Sequence, residues 1–225
     1  MTGRTESLIA IAPEPIGPDR PLVLFLHGYG ADERDLAPLA AALPADFAWA
    51  SLRAPLALPQ GGRAWFPIER VPVTTGDEPP ADALREATAA LLAWIEGNVP
   101  AQAPIVPLGF SQGGLMATRL LRVRPERFAA AVVLSGFVAP GREEGDRRLA
   151  ELRPPLLFGY GEADPVIEPG VFAAAERLLS ELVELELVRR PGLGHGIDPV
   201  ELDAVRAFLE RLGPAVLPEG SAPRD

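Results

Sequence analysis

Apolar positions along the chain follow two different periods. Short apolar runs fall at residues 21–26, 47–52, 105–108, 128–134 and 155–160, and a further strand is expected at 183–189. Runs of this length and continuity predict strands covered on both faces, as in a parallel sheet. Between them, apolar residues recur at helical spacing. Leu84, Ala87, Thr88, Leu91 and Ile95 predict a helix over 82–98, and Leu202, Val205, Leu209 and Leu212 a final one. Further helices are expected at 36–43, 115–123, 142–152 and 171–182, and an edge strand at 5–12. Residues 53–80 are rich in Pro and Gly and show no period. Such a long irregular segment carries function or moves. Strands alternating with helices predict an α/β class: a compact single domain over 1–212 with a mostly parallel, doubly wound sheet. No large lid insertion is visible, and residues 213–225 are expected to form a flexible C-terminal tail.

One stretch combines strand, turn and helix. Ile105 to Leu108 leads into Gly109-Phe110-Ser111-Gln112-Gly113, and apolar helix formers follow from Leu115. The G-x-S-x-G pattern has a steric logic. A serine at the apex of a sharp strand-to-helix turn needs small residues two before and two after it. The helix start then supplies N–H groups and partial positive charge beside the hydroxyl.

Two more polar residues follow predicted strands, Asp164 and His195. In an open α/β sheet all three loops open at the carboxyl edge, where ligands bind. The serine needs a base, and the base needs a carboxylate to orient it. The order Ser111, Asp164, His195 matches a hydrolase triad. Glu162 and Asp198 are rival acids; Glu162 comes two residues early, and Asp198 reads as the N-cap of the last helix. The N–H groups of Gln112 and Tyr29 are the expected oxyanion donors. His27 reads as structural support for the Tyr29 loop. Trp65, Phe66, Phe110 and Val166 are candidate substrate-binding residues, with plain core the competing role.

Composition narrows the alternatives. With 225 residues and 48% hydrophobic content the chain can bury one large core. The net charge is −10 and every basic residue is Arg. That balance disfavours nucleic acid and anionic membrane surfaces. The sequence has no Cys and two His, so disulfides, thiolate chemistry and a multi-His zinc site are excluded. No metal or cofactor is expected. Gly28-x-Gly30 and Gly159-x-Gly161 fail to complete a dinucleotide fingerprint, and a Walker A loop needs the Lys this chain lacks. No signal peptide or membrane-spanning run is evident, so a cytoplasmic protein without membrane insertion is expected.

Together, Leu26-His27-Gly28-Tyr29-Gly30-Ala31-Asp32, Arg63-Ala64-Trp65-Phe66, Gly109-Phe110-Ser111-Gln112-Gly113-Gly114, Gly161-x-x-Asp164-Pro165-Val166 and Gly194-His195-Gly196 resemble the phospholipase/carboxylesterase family. This is the compact α/β-hydrolase group that includes acyl-protein thioesterases. The likeness runs from about Leu22 to Leu212. It implies a lidless serine hydrolase with Ser111 as nucleophile, His195 as base, Asp164 as acid and the Tyr29 and Gln112 amides as oxyanion donors. Tyr160 stands where many members carry His. The expected activity is carboxylesterase action on esters of small to medium acyl chain, by a monomer or homodimer. An acyl thioesterase or lysophospholipase for longer chains is the alternative, and a non-catalytic binding module the reading from another class.

Overall fold

The computed structural model describes residues 8–68, 71 and 73–216. In chain order it contains β1 (Ala10–Ile11), β2 (Leu22–Leu26), β3 (Ala48–Leu52), β4 (Leu56–Ala57), β5 (Arg63–Ala64), α1 (Ala81–Asn98), β6 (Ile105–Phe110), α2 (Gln112–Val123), β7 (Ala131–Leu134), α3 (Asp146–Leu152), β8 (Pro155–Gly161), α4 (Pro169–Leu182), β9 (Glu184–Arg190) and α5 (Pro199–Val216). Seven strands form one sheet in the order β1-β3-β2-β6-β7-β8-β9. All neighbours are parallel except β1, which runs antiparallel to β3.

Alternation within the buried strands feeds two cores. Leu22, Leu24 and Leu26 of β2 face α1, α2 and α4, whose Leu91, Leu115 and Phe172 pack there. Val23 and Phe25 face the other way, toward Val205, Phe208 and Leu209 of α5. β7 divides likewise, with Val133 on the first face and Val132 and Leu134 on the second. Both faces are therefore apolar, which is why the sequence shows runs rather than alternation. β6 pairs with β7 only from Leu108 onward, past Pro107, which has no N–H to donate.

The chain leaves β2 toward β3 on one side and returns to β6 on the other. A crevice opens at such a switch point, beyond the carboxyl ends of the strands.

Several boundaries differ from the sequence reading. Residues 36–43 contain a 3-10 helix, Ala37–Ala42, where Pro38 removes a donor from the first turn. The segment after β3 includes a small antiparallel hairpin, β4 with β5. The strand expected at 128–134 begins at Ala131. α5 continues to Val216, so the first residues assigned to a tail are helical. The rest of that tail, 217–225, and the start of the expected edge strand, 5–7, lie outside the described residues. Among the described residues no helix is long and apolar enough to cross a membrane.

Candidate active site

The turn between β6 and α2 is built by three backbone approaches. Ser111 sits at φ 54° and ψ −116°, a region that side chains with a Cβ rarely occupy. Its N–H donates to Leu134 O at 2.9 Å, extending the β6–β7 ladder past the strand end. A Cβ on Gly109 would lie 2.1 Å from Gly113 O, and one on Gly113 would lie 1.8 Å from Leu26 O. Only glycine fits either place, because backbone rather than a movable side chain fills the space. The strain at Ser111 is held by these contacts, and the residue is buried, with 8% of its surface exposed.

Asp164 and His195 arrive on the loops after β8 and β9. Asp164 Oδ1 accepts from the N–H groups of Val166 (2.7 Å) and Ile167 (3.0 Å), an Asx-type turn that orients the carboxylate. Asp164 Oδ2 lies 2.7 Å from His195 Nδ1, and His195 Nε2 lies 2.9 Å from Ser111 Oγ. With Nδ1–H donating to the carboxylate, Nε2 is free to accept the serine proton. The two loops meet backbone to backbone. Ala163 N–H donates to Leu193 O at 3.0 Å, and a Cβ on Gly161 would lie 2.1 Å from that same oxygen. The rival acids are elsewhere. Asp198 pairs with Arg190 at 2.8 Å and caps α5.

The acid loop has support from β8 and α4. Tyr160 hydroxyl donates to Glu176 Oε1 at 2.6 Å and accepts from Arg189 Nε at 3.0 Å. Its ring stacks on Phe172 at 4.2 Å and 11°. Burial pushes the phenol above its ordinary pKa, and the Glu176 carboxylate beside it adds to the rise. Tyr160 thus braces β8 through a hydroxyl rather than an imidazole.

The loop after β2 is clamped around His27. The fully buried ring has Nδ1 2.7 Å from Gly28 O, and its Nε2 accepts from Ala54 N–H at 3.1 Å. Burial lowers its pKa, which keeps the ring neutral with the proton on Nδ1. Trp65 Nε1–H donates to His27 O at 2.9 Å. The Gln112 side chain accepts from Trp65 N–H and donates to Phe66 O, each at 2.7 Å. The hairpin adds two bonds at 2.8 Å, Gly30 N–H to Arg63 O and Arg63 N–H to Ala31 O. Among the described residues, the N–H groups of Tyr29 and Gln112 have no acceptor. Gln112 directly follows the serine, and the loop carrying Tyr29 approaches it at Gly28, where an added Cβ would lie 3.5 Å from Ser111 Cβ.

The candidate substrate residues separate on exposure and contact. Trp65 does not face the cleft: it is 1% exposed, and its indole is turned inward to serve the His27 carbonyl. Phe110 packs on the His195 ring at 4.9 Å, steadying the imidazole. Val166 is half-buried against the core, and its backbone serves Asp164. Phe66 does line a cleft of about 210 Å³, together with Ile68, Val73, Pro79 and Phe137. Sequence reasoning missed Val73 and Phe137 because both lie in aperiodic segments. The one available signal was that Phe137 falls three residues beyond β7, on the ligand edge of the sheet. Among the described residues, no group of three His, Asp or Glu could hold a metal.

Comparison with known proteins gives a consistent picture. The phospholipase/carboxylesterase family profile matches residues 9–212. A probable carboxylesterase of rice (Oryza sativa subsp. japonica) is 28% identical over 155 residues, covering 65% of this chain and 57% of that protein. Acyl-protein thioesterase 1 of Saccharomyces cerevisiae is 28% identical over 107 residues, covering 46% and 47%. The chain thus spans about half the length of these curated relatives. The crystal structure of Arabidopsis thaliana SOBER1 superposes with a TM-score of 0.72 at 25% identity, covering 85% of this chain and 98% of that one. The shared architecture is the α/β-hydrolase fold.

Proposed function

The chain belongs to the phospholipase/carboxylesterase family, and from that premise we propose that it hydrolyses carboxylic esters through an acyl-enzyme on Ser111. The observation that carries this reading is the continuous relay from Asp164 through His195 to Ser111, at 2.7 and 2.9 Å. His195 takes the serine proton as Oγ attacks the acyl carbon. The C=O electron pair moves to oxygen, where the Tyr29 and Gln112 N–H groups stabilise it. The carbonyl reforms, the C–O bond to the alcohol breaks, and His195 delivers its proton to the departing oxygen. Water then repeats the sequence and releases the acid and free Ser111. Asp164 holds the ring in the required tautomer and stabilises the imidazolium.

A small to medium acyl group is proposed for the cleft lined by Phe66. That cleft adjoins the serine turn through the bond from the Gln112 side chain to Phe66 O, although none of Ser111, Asp164 and His195 lines it. At about 210 Å³ it is below the roughly 300–1,000 Å³ typical of drug-sized ligand sites. Likeness to an acyl-protein thioesterase makes acyl thioesters the second substrate class.

The test is hydrolysis of p-nitrophenyl esters from acetate to palmitate, with and without a serine-directed organophosphonate. Short chains are expected to be preferred, with the phosphonate abolishing turnover. Ser111→Ala is expected to lower kcat by on the order of 10⁶, by analogy with triad knockouts. Residual activity above about a tenth of wild type would reject the assignment of Ser111, whose loss should be nearly complete. A long-chain optimum would move the assignment to the thioesterase or lysophospholipase reading.

A further inference from the structure

Glu201, in the first turn of α5, is fully buried, and the relay described above does not use it. Its Oε2 accepts from Asp198 N–H at 3.3 Å, while Asp198 Oδ1 accepts from Glu201 N–H at 2.9 Å. This is a reciprocal capping box. The box lies three residues beyond His195. Asp198 Oδ2 also accepts from Arg190 Nε at 2.8 Å. Arg190 O in turn receives the N–H groups of Glu162 (3.0 Å) and Leu193 (3.2 Å). The His195 loop is thus tied at both ends by one chain of contacts, and Glu201 lies beneath it. The other carboxyl oxygen, Oε1, is buried with no partner among the described residues. It faces the β8 backbone, where a Cβ on Gly159 would lie only 2.7 Å away.

We propose that Glu201 is a positioning residue for His195, a buried carboxylic acid whose proton keeps the loop between Arg190 and Asp198 closed. The inference rests on His195 being the base of the proposed esterase.

The argument is one of charge and space. The charged groups facing Glu201 are Asp198, at the start of its own helix, and Arg190 from β9. β8 presents the Gly159 backbone there, and β7 the apolar Leu134 side chain. With Glu201 neutral, one carboxylate meets one guanidinium. With Glu201 ionised, two carboxylates share that guanidinium, and one of them is fully buried. Burial pushes the Glu201 carboxyl up to about 7; the Asp198 charge raises it, while Arg190 and the Asp198 N–H hold it down. A buried anion with one long hydrogen bond and one unpartnered oxygen is relieved by opening the box to solvent. That movement releases the loop on which Nε2 is held 2.9 Å from Ser111.

The experiment is backbone hydrogen exchange of residues 191–201 in the full chain, at about pH 6 and about pH 8.5, with intrinsic rates removed. In the wild type, protection is expected to fall about tenfold at the higher pH, following ionisation of the group. In Glu201→Gln, which keeps the size and an acceptor for Asp198 N–H, protection is expected to stay constant. The wild type is expected to show an alkaline limb in kcat/KM, and the same variant to lack it. Constant wild-type protection, or an unchanged alkaline limb in Glu201→Gln, would overturn the proposal. The wild-type exchange result needs neither a folded variant nor activity. Failure of the esterase reading is distinct from this, since it would appear as absent turnover with no phosphonylation of Ser111.

Discussion

Glu33 offers a test of how the oxyanion loop is held. Its carboxylate is 2% exposed and meets Arg53 at the end of β3 through two bonds, Arg53 Nε to Oε2 at 2.6 Å and Nη2 to Oε1. The pair joins the turn after Tyr29 to the segment from which Ala54 reaches His27. Hydrogen bonding to Arg53 holds the Glu33 carboxyl down, from its ordinary 4.5 to about 2. At about 1.4 kcal/mol per pKa unit, the ionised form stabilises the fold by about 3 kcal/mol. The sign follows from the direction. The folded pKa is depressed, so the contribution is complete above about 4.5 and is lost as pH falls toward about 2. Glu33→Gln preserves shape and one acceptor while removing the charge. Urea unfolding at pH 7 is expected to show a loss of about 3 kcal/mol, a large fraction of a normal folding free energy. Linkage requires the gap between variant and wild type to narrow to about 1.5 kcal/mol near pH 3. A gap below about 1 kcal/mol at pH 7, or one that does not change with pH, would refute this account of the pair.

Other positions make separate demands. Gln112→Ala removes the partners of Trp65 N–H and Phe66 O; it is expected to cost about 2–4 kcal/mol in chemical denaturation and to lower kcat, since two buried groups are left unpaired. Gly113→Ala forces a Cβ to 1.8 Å from Leu26 O; a circular-dichroism melt should show severe destabilisation, and a wild-type Tm would contradict the close approach. Arg122 is 1% exposed and binds Asp146 together with Ala139 O and Gly141 O, tying the segment after Phe137 to α2. Arg122→Met strands the half-buried Asp146, and a loss of about 3–5 kcal/mol is expected by calorimetry.

What could be read from the sequence follows from how local each cause is. The elbow was readable because its glycines answer to backbone contacts within one turn and its neighbouring strand. The relay was readable because Asp164 and His195 each follow a strand, and strand ends in an open sheet share an edge. Trp65 was misjudged for the opposite reason. No period runs through residues 53–80, so nothing marks inside from outside, and the deciding partner, His27 O, is 38 residues away. The start of β7 was missed because Phe128 and Ala130 are as buried as the strand itself. Hydrophobicity marks burial there, not hydrogen-bond pairing. The importance of Glu201 depends on Gly159 and Arg190, brought near only by the sheet.

The position of β2 also bears on how the chain is made. Its five residues, all buried, are synthesised well before their partners on one side, since Leu22 pairs with Ile105 and Leu26 with Gly109. On the ribosome one edge of this strand can pair early with β3. The other stays bare until more than eighty further residues have emerged. A nascent Leu-Val-Leu-Phe-Leu edge without charge or proline is a site for association between unfinished chains. The strand that positions the oxyanion loop in the finished molecule is therefore the one most in need of shielding during translation.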